Sequence, residues 1–130
     1  MAVNKTSLSA GAIIRAVLLE DPEVAARTRK IFPVVTDQAE LPYIVYRRAS
    51  LESNPQKSGR PGTDMIELEI LCCTASYAEG VELAEAVRGA LDYTETEHDG
   101  LRLRACHLTA SEESYEGDAY VQQLVFTAKM

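Results

Sequence analysis

Thr63-Asp-Met-Ile-Glu-Leu-Glu-Ile-Leu-Cys-Cys-Thr-Ala-Ser76, running on to Leu91, decides how the rest of the chain is read, because it joins the clearest strand pattern to the clearest helix pattern. Along an extended chain, Ile66, Leu68, Ile70 and Cys72 share one side, with Met65, Glu67, Glu69 and Leu71 on the other. A sheet with one well-buried face follows. Ser76-Tyr-Ala-Glu79 has the form of a capping box, in which hydroxyl and carboxylate each satisfy a free N–H at a helix start. Tyr77, Val81, Ala84, Val87 and Leu91 then recur at spacings of three and four, which predicts a helix with that stripe laid on the sheet and Glu79, Glu82 and Glu85 turned away.

Towards the amino terminus, Ser7 or Ser9 can cap a helix to about Leu19, with Ile13, Val17 and either Ala10 or Ile14 as its apolar stripe. Asp21-Pro22-Glu23 restarts it, since Asp caps well and Pro is tolerated in a first turn, and this second piece should run to about Arg29. Ile31-Phe32-Pro33 is read as its end, because the residue before a proline is pushed out of the helical region. Thr36 to Glu40 reads as a polar loop. Leu41 to Arg48 is aromatic and β-branched and predicts a strand with Pro42 at its start. Leu51 to Gly62 carries two prolines and two glycines among polar residues and is expected to be a flexible arm.

Towards the carboxyl terminus, Asp92 to Gly100 reads as an acidic turn, and Leu101 to Ala110 as a strand with Leu101, Leu103 and Ala105 opposite Arg102 and Arg104. Glu112 to Asp118 reads as a second acidic turn. Ala119 to Ala128 closes the chain, Tyr120, Leu124 and Phe126 on one face and Val121 and Val125 on the other. The expected fold is a single α+β domain over residues 1–130, a four-stranded, mainly antiparallel sheet packed by helices in the order α-(α)-β-β-α-β-β.

At 130 residues, 46% hydrophobic and 25% charged, the chain has the makings of one core. It contains no apolar run near the ~20 residues a membrane span needs, so no membrane partner is expected. Met-Ala-Val-Asn-Lys-Thr-Ser lacks the plan of a secretory signal, which points to folding in the cytoplasm. A net charge of −7 argues against direct nucleic-acid binding. The charge is unevenly spread: Arg47, Arg48, Lys57 and Arg60 face only Glu52 between Pro42 and Gly62, whereas eight acidic residues face two arginines between Asp92 and Asp118. Such blocks are either solvated loops or opposite poles that meet between copies in a ring.

Catalytic chemistry finds no footing. Cys72, Cys73 and Cys106 are too few and wrongly spaced for a metal site or a disulfide set, and read as small apolar residues, while His98 and His107 have no ligand partners at metal-binding spacing. No nucleophile elbow or phosphate-cradling loop occurs. Glu67 and Glu69 are more simply solvated strand residues, paired across the sheet with Arg102 and Arg104, than an acid–base pair. Tyr43, Tyr46 and Tyr120 suit a core or rim as well as a pocket. No catalytic, cofactor-binding or metal residue is expected, and no cofactor.

The sequence resembles the tail-completion, or tail-terminator, proteins of long-tailed bacteriophages and prophages. The resemblance rests on Arg29-Lys-Ile-Phe-Pro33, Leu41-Pro-Tyr-Ile-Val-Tyr46, Ile66-Glu-Leu-Glu-Ile70 with Ser76-Tyr77, Ala84-Glu-Ala-Val-Arg-Gly-Ala-Leu91 and Tyr120-Val-Gln-Gln-Leu-Val-Phe126. It covers nearly the whole chain and carries no catalytic signature. It implies a virion tail protein, assembled in the bacterial cytoplasm, that caps the tail tube as a ring, typically of six copies, though a monomer in solution is compatible. The implied partners are copies of itself, the major tail tube protein and the head–tail connector. The interface candidates come from charge rather than from the family: a basic arm with Arg47, Arg48, Lys57 and Arg60, and acidic turn residues Glu112, Glu113, Glu116 and Asp118. The competing readings are another head–tail connector or minor tail component, and, from a different class, a small-molecule-binding or enzymatic α+β domain.

Overall fold

The computed structural model describes residues 5–34, 40–53 and 63–130. Its elements are a 3-10 turn (Ser7–Ser9), α1 (Ala10–Glu20), α2 (Pro22–Arg27), β1 (Ile31–Pro33), β2 (Tyr43–Glu52), β3 (Met65–Thr74), α3 (Tyr77–Leu91), β4 (Thr96–His98), β5 (Leu101–Glu116) and β6 (Ala119–Lys129). The sheet has six strands in the order β1-β2-β3-β6-β5-β4, antiparallel except where β1 runs parallel to β2. The mixed class and the two long hairpins match expectation, but the strand count of four does not.

Both extra strands are short. β1 is Ile31-Phe-Pro33, read in the sequence only as a helix end, and β4 lies inside the stretch read as a turn. Asp99 and Gly100 both have positive φ, and so do Gly117 and Asp118. Each pair forms the two-residue connection whose twist suits a β-hairpin, one joining β4 to β5 and the other β5 to β6.

The prediction for β3 holds: Ile66, Leu68, Ile70 and Cys72 are buried and join Ile44, Leu124, Phe126 and Ala128 on one face of the sheet. Helices cover that face. Asp21 caps α2 by accepting hydrogen bonds from the backbone N–H groups of Glu23 and Val24 at 3.0 Å each, with Pro22 in the first turn, and the helix ends at Arg27 rather than Arg29. Ser76 Oγ likewise accepts from the Glu79 N–H at 3.2 Å. The buried side of α3 is Gly80, Leu83, Val87, Ala90 and Leu91, which rotates the expected stripe: Tyr77 is exposed, and Val81 and Ala84 are half-buried. Gly80 explains the rotation, since a Cβ there would stand 2.9 Å from Thr74 Oγ1, so glycine lets the helix sit down on β3 at that point.

β5 departs from simple alternation at Ala105, whose φ of 53° accompanies a break in the pairing with β6 between Arg104 and His107. Leu103 therefore points inward as expected, but Ala105 is exposed and Cys106 takes the inward place. The proposed pairing of Glu67 and Glu69 with Arg102 and Arg104 is not formed, because β6 lies between β3 and β5. Arg102 instead pairs with Glu95, and Glu69 with Arg47 of β2.

The amino-terminal turn ties the sheet into a curl. Lys5 Nζ reaches Asp99 at 2.8 Å beside β4, Ser7 Oγ donates to the Asp64 carboxylate before β3, and Arg48 of β2 donates to the Leu8 carbonyl at 2.7 Å. Residues near opposite edges of the sheet are thus joined through the short stretch from Lys5 to Leu8.

Candidate assembly surfaces

Among the described residues, no group of three or more His, Cys, Asp or Glu side chains is placed to hold a metal ion. The three thiols are free and buried, and burial pushes Cys106 up to about 12 and raises Cys72 further, which keeps both in the unreactive protonated form. What the surface does offer is three features suited to contact with other proteins.

The first is the second face of the sheet. Tyr43, Val45, Leu71, Cys73, Val121 and Val125 lie on it in register, buried or half-buried, and no helix packs there among the described residues. Cys73 and Tyr43 meet on this face, and burial raises the pKa of each.

The second is a groove of about 920 Å³ between α1 and the β1–β2 edge. Gly11, Ala12 and Tyr46 line it, as do Arg15, Arg47 and Arg48, and Leu8 and Val34 lie on its border, 65% and 67% exposed. A Cβ on Gly11 would lie 3.0 Å from the Tyr46 ring, so glycine permits that ring to lie against the helix. Val34 is held at φ 64°, a region β-branched residues avoid, with its N–H on the Tyr46 carbonyl at 2.7 Å. Arg47 and Arg48, expected to belong to a basic arm, are strand residues with partners: Arg47 forms a two-point contact with Glu69 at 3.1 and 3.2 Å, and Arg48 holds the Leu8 carbonyl. Lys57 and Arg60, and with them most of the expected arm, lie outside the described residues.

The third is the outer half of the β5–β6 hairpin. Glu112, Glu113 and Glu116 were expected in a turn but stand on β5, and only Asp118 is in the turn itself. Register separates them: Glu112 and Glu116 lie opposite Gln123 and Ala119 on the helix-free side, while Glu113 lies opposite Gln122 on the helix side. There Glu113 accepts hydrogen bonds from Gln122 Nε2 at 2.9 Å and Tyr77 Oη at 3.0 Å, which lower its pKa and raise that of Tyr77. Tyr120 stacks against both exposed neighbours, 6.2 Å from Tyr77 edge-on and 4.8 Å from Tyr115. This tyrosine cluster escaped the sequence reading, which placed Tyr77 in the core and left Tyr115 in a turn; the Gly117-Asp118 hairpin signal would have paired Tyr115 with Tyr120.

Comparison with known proteins agrees with the architecture. The family model described as tail completion protein gp17 matches residues 12–130. A solved chain from the virion of a native gene transfer agent particle superposes with a TM-score of 0.80 at 19% identity, covering 96% of this chain and 98% of its own. Another solved chain gives 0.53 at 10% identity, over 92% and 94% of the two chains. No curated protein matches. At these identities the two structures speak for the fold, while the match over almost the entire chain decides the family: this is a member of the gp17 tail-completion family and a structural component of a phage-type tail.

Proposed function

We propose that this protein caps the end of the polymerised tail tube as a ring and presents the surface at which tail joins head. Copies of itself, the major tail tube protein and the head–tail connector are then its partners, and assembly takes place in the bacterial cytoplasm. The observation that carries this reading is the helix-free face of the sheet. Half-buried Leu71, Val121 and Val125 beside the buried Val45 and Cys73, with no helix above them among the described residues, suit a subunit that completes its burial against other proteins. Family membership directs that expectation to the tail.

The acidic residues Glu112, Glu116 and Asp118 remain free for such contacts, since none has an ion-pair partner among the described residues. On the basic side, Arg47 and Arg48 already hold the fold together, so reversing their charge would disturb folding as well as assembly. Lys57→Glu with Arg60→Glu is the cleaner test of the arm.

Electron microscopy of polymerised tail tubes mixed with the purified protein tests the main reading. A single ring at one tube end, after which heads attach, is the expected result. Decoration along the tube, or binding to heads but never to tubes, would overturn it.

A further inference from the structure

We propose that the ring closes by seating the outer β5–β6 hairpin of one copy in the groove between α1 and the β1–β2 edge of the next. The inference rests on the ring reading above and names the two surfaces that meet. They are complementary in charge: no Lys or Arg occurs between Arg104 and Lys129, so the hairpin presents Glu112, Glu116 and Asp118 uncompensated, whereas the groove presents Arg15 and Arg48 against the single carboxylate of Glu20, around an apolar floor. They are complementary in chemistry as well. Tyr115, 59% exposed, offers the aromatic ring and hydroxyl that dominate contact energetics at interfaces, and an arginine beside a shallow apolar recess is a suitable receiver for both.

The hairpin is also free to enter. From Thr109 to Asp118 every residue is exposed, and the contacts made by its own subunit on the helix side are those of Tyr77 with Glu113 and Tyr120 with Tyr115. The pairing of β4 with β5 stops at Leu103, and the adjoining edge is closed only as far as Leu108, whose N–H donates to Asp92. On the receiving side, Val34 is held at positive φ by its N–H bond to the Tyr46 carbonyl with its side chain exposed, which gives a partner an apolar edge to cover. The two surfaces have no residue in common. A contact between them that is not reciprocated within a two-fold pair is heterologous and passes from copy to copy around an axis.

Sedimentation of the full chain tests this, with unfolding curves to establish that each variant folds. The wild type should self-associate at concentrations up to about 1 mM, more weakly as salt is added. A hairpin variant (Glu112→Lys, Tyr115→Ser, Glu116→Lys) and a groove variant (Leu8→Ser, Arg15→Ala) should each associate at least about tenfold more weakly. Mixed together they should form a one-to-one dimer and nothing larger, because one intact groove and one intact hairpin remain between them. Should either set disturb folding, Tyr115→Ser and Val34→Ser alone are milder versions with the same expected direction. A wild type that stays monomeric throughout, variants that associate like the wild type, or a mixture that stays monomeric would each overturn the inference. Rings on tube ends formed by the hairpin variant would discard the hairpin contact while leaving the capping function standing; failure of the wild type to bind tube ends would discard the function itself.

Discussion

β3 and the outer half of β5 both pair with β6 in one sheet, yet six of the ten residues of β3 are buried and none is from Thr109 to Glu116. β3 has a strand on each side and helices over one face. The outer half of β5 has β6 on one side and, beyond the Tyr77 contact with Glu113, little else from its own subunit among the described residues. Even their carboxylates differ, since Glu69 is matched by Arg47 whereas Glu112 and Glu116 have no cation among the described residues. The contrast separates a strand whose backbone and helix-side contacts are completed within the subunit from one whose contacts are left open; the first serves folding, and the proposed assembly contacts fall to the second and to the helix-free face that Leu71 and Cys73 of β3 share.

The widest gap should appear in stability. Leu68→Ala empties a fully enclosed site and should lower unfolding free energy by about 2–5 kcal/mol, whereas Tyr115→Ala, which loses only the cross-strand contact with Tyr120, should lower it by about 1 kcal/mol or less, both read from denaturant titration. Equal costs would break the comparison. Glycine to alanine in α3 sharpens it on a smaller scale. Gly80→Ala must displace Thr74 and should destabilise by about 1–3 kcal/mol, against the usual preference of helices for alanine. Gly89→Ala meets nothing within 4 Å and should stabilise by roughly 0.5–1 kcal/mol.

How far these regions could be read from sequence follows the same division. β3 was legible because burial imposed alternation on Ile66, Leu68, Ile70 and Cys72. The helix α3 was legible in extent but not in rotation, since counting large side chains put Tyr77 inward and passed over Gly80, whose missing side chain makes the contact. β1 and β4 are too short to show a period, although Asp99-Gly100 was a hairpin signal in plain view. Ala105 hid a bulge that no alternation could reveal. Glu112 to Glu116 looked like a turn because a strand with neither face buried has no apolar pattern; its state is set by β6 across the hairpin. The groove was illegible for another reason: Arg15, Val34 and Tyr46 come from three separate elements, and only the fold brings them together.

Chemistry at the thiols should follow burial. Cys72 and Cys106, both inside and both held well above the ordinary thiol range, should react with a maleimide at pH 8 far more slowly in the native protein than after unfolding. Fast native labelling of Cys72 would contradict the closed face of β3. The smallest expected effect concerns Glu113. Its carboxyl is held below the usual range by Gln122 and Tyr77, so its contribution is present above the unfolded-state value near 4 and is lost as pH falls through the lower, folded value. A carbon-detected NMR titration should find Glu113 titrating below that unfolded-state value, and Gln122→Ala should move it part of the way back up.

Hydrogen exchange tests the central division most directly. Amides of Ile66 to Cys72 should be slow in both the free protein and assembled tails, while the outward-facing amides between Thr109 and Glu116 should exchange quickly in the free protein and slow on assembly. Quick exchange from Thr109 to Glu116 that persists in the assembled tail would contradict the account, because the open region would then have no partner to complete it.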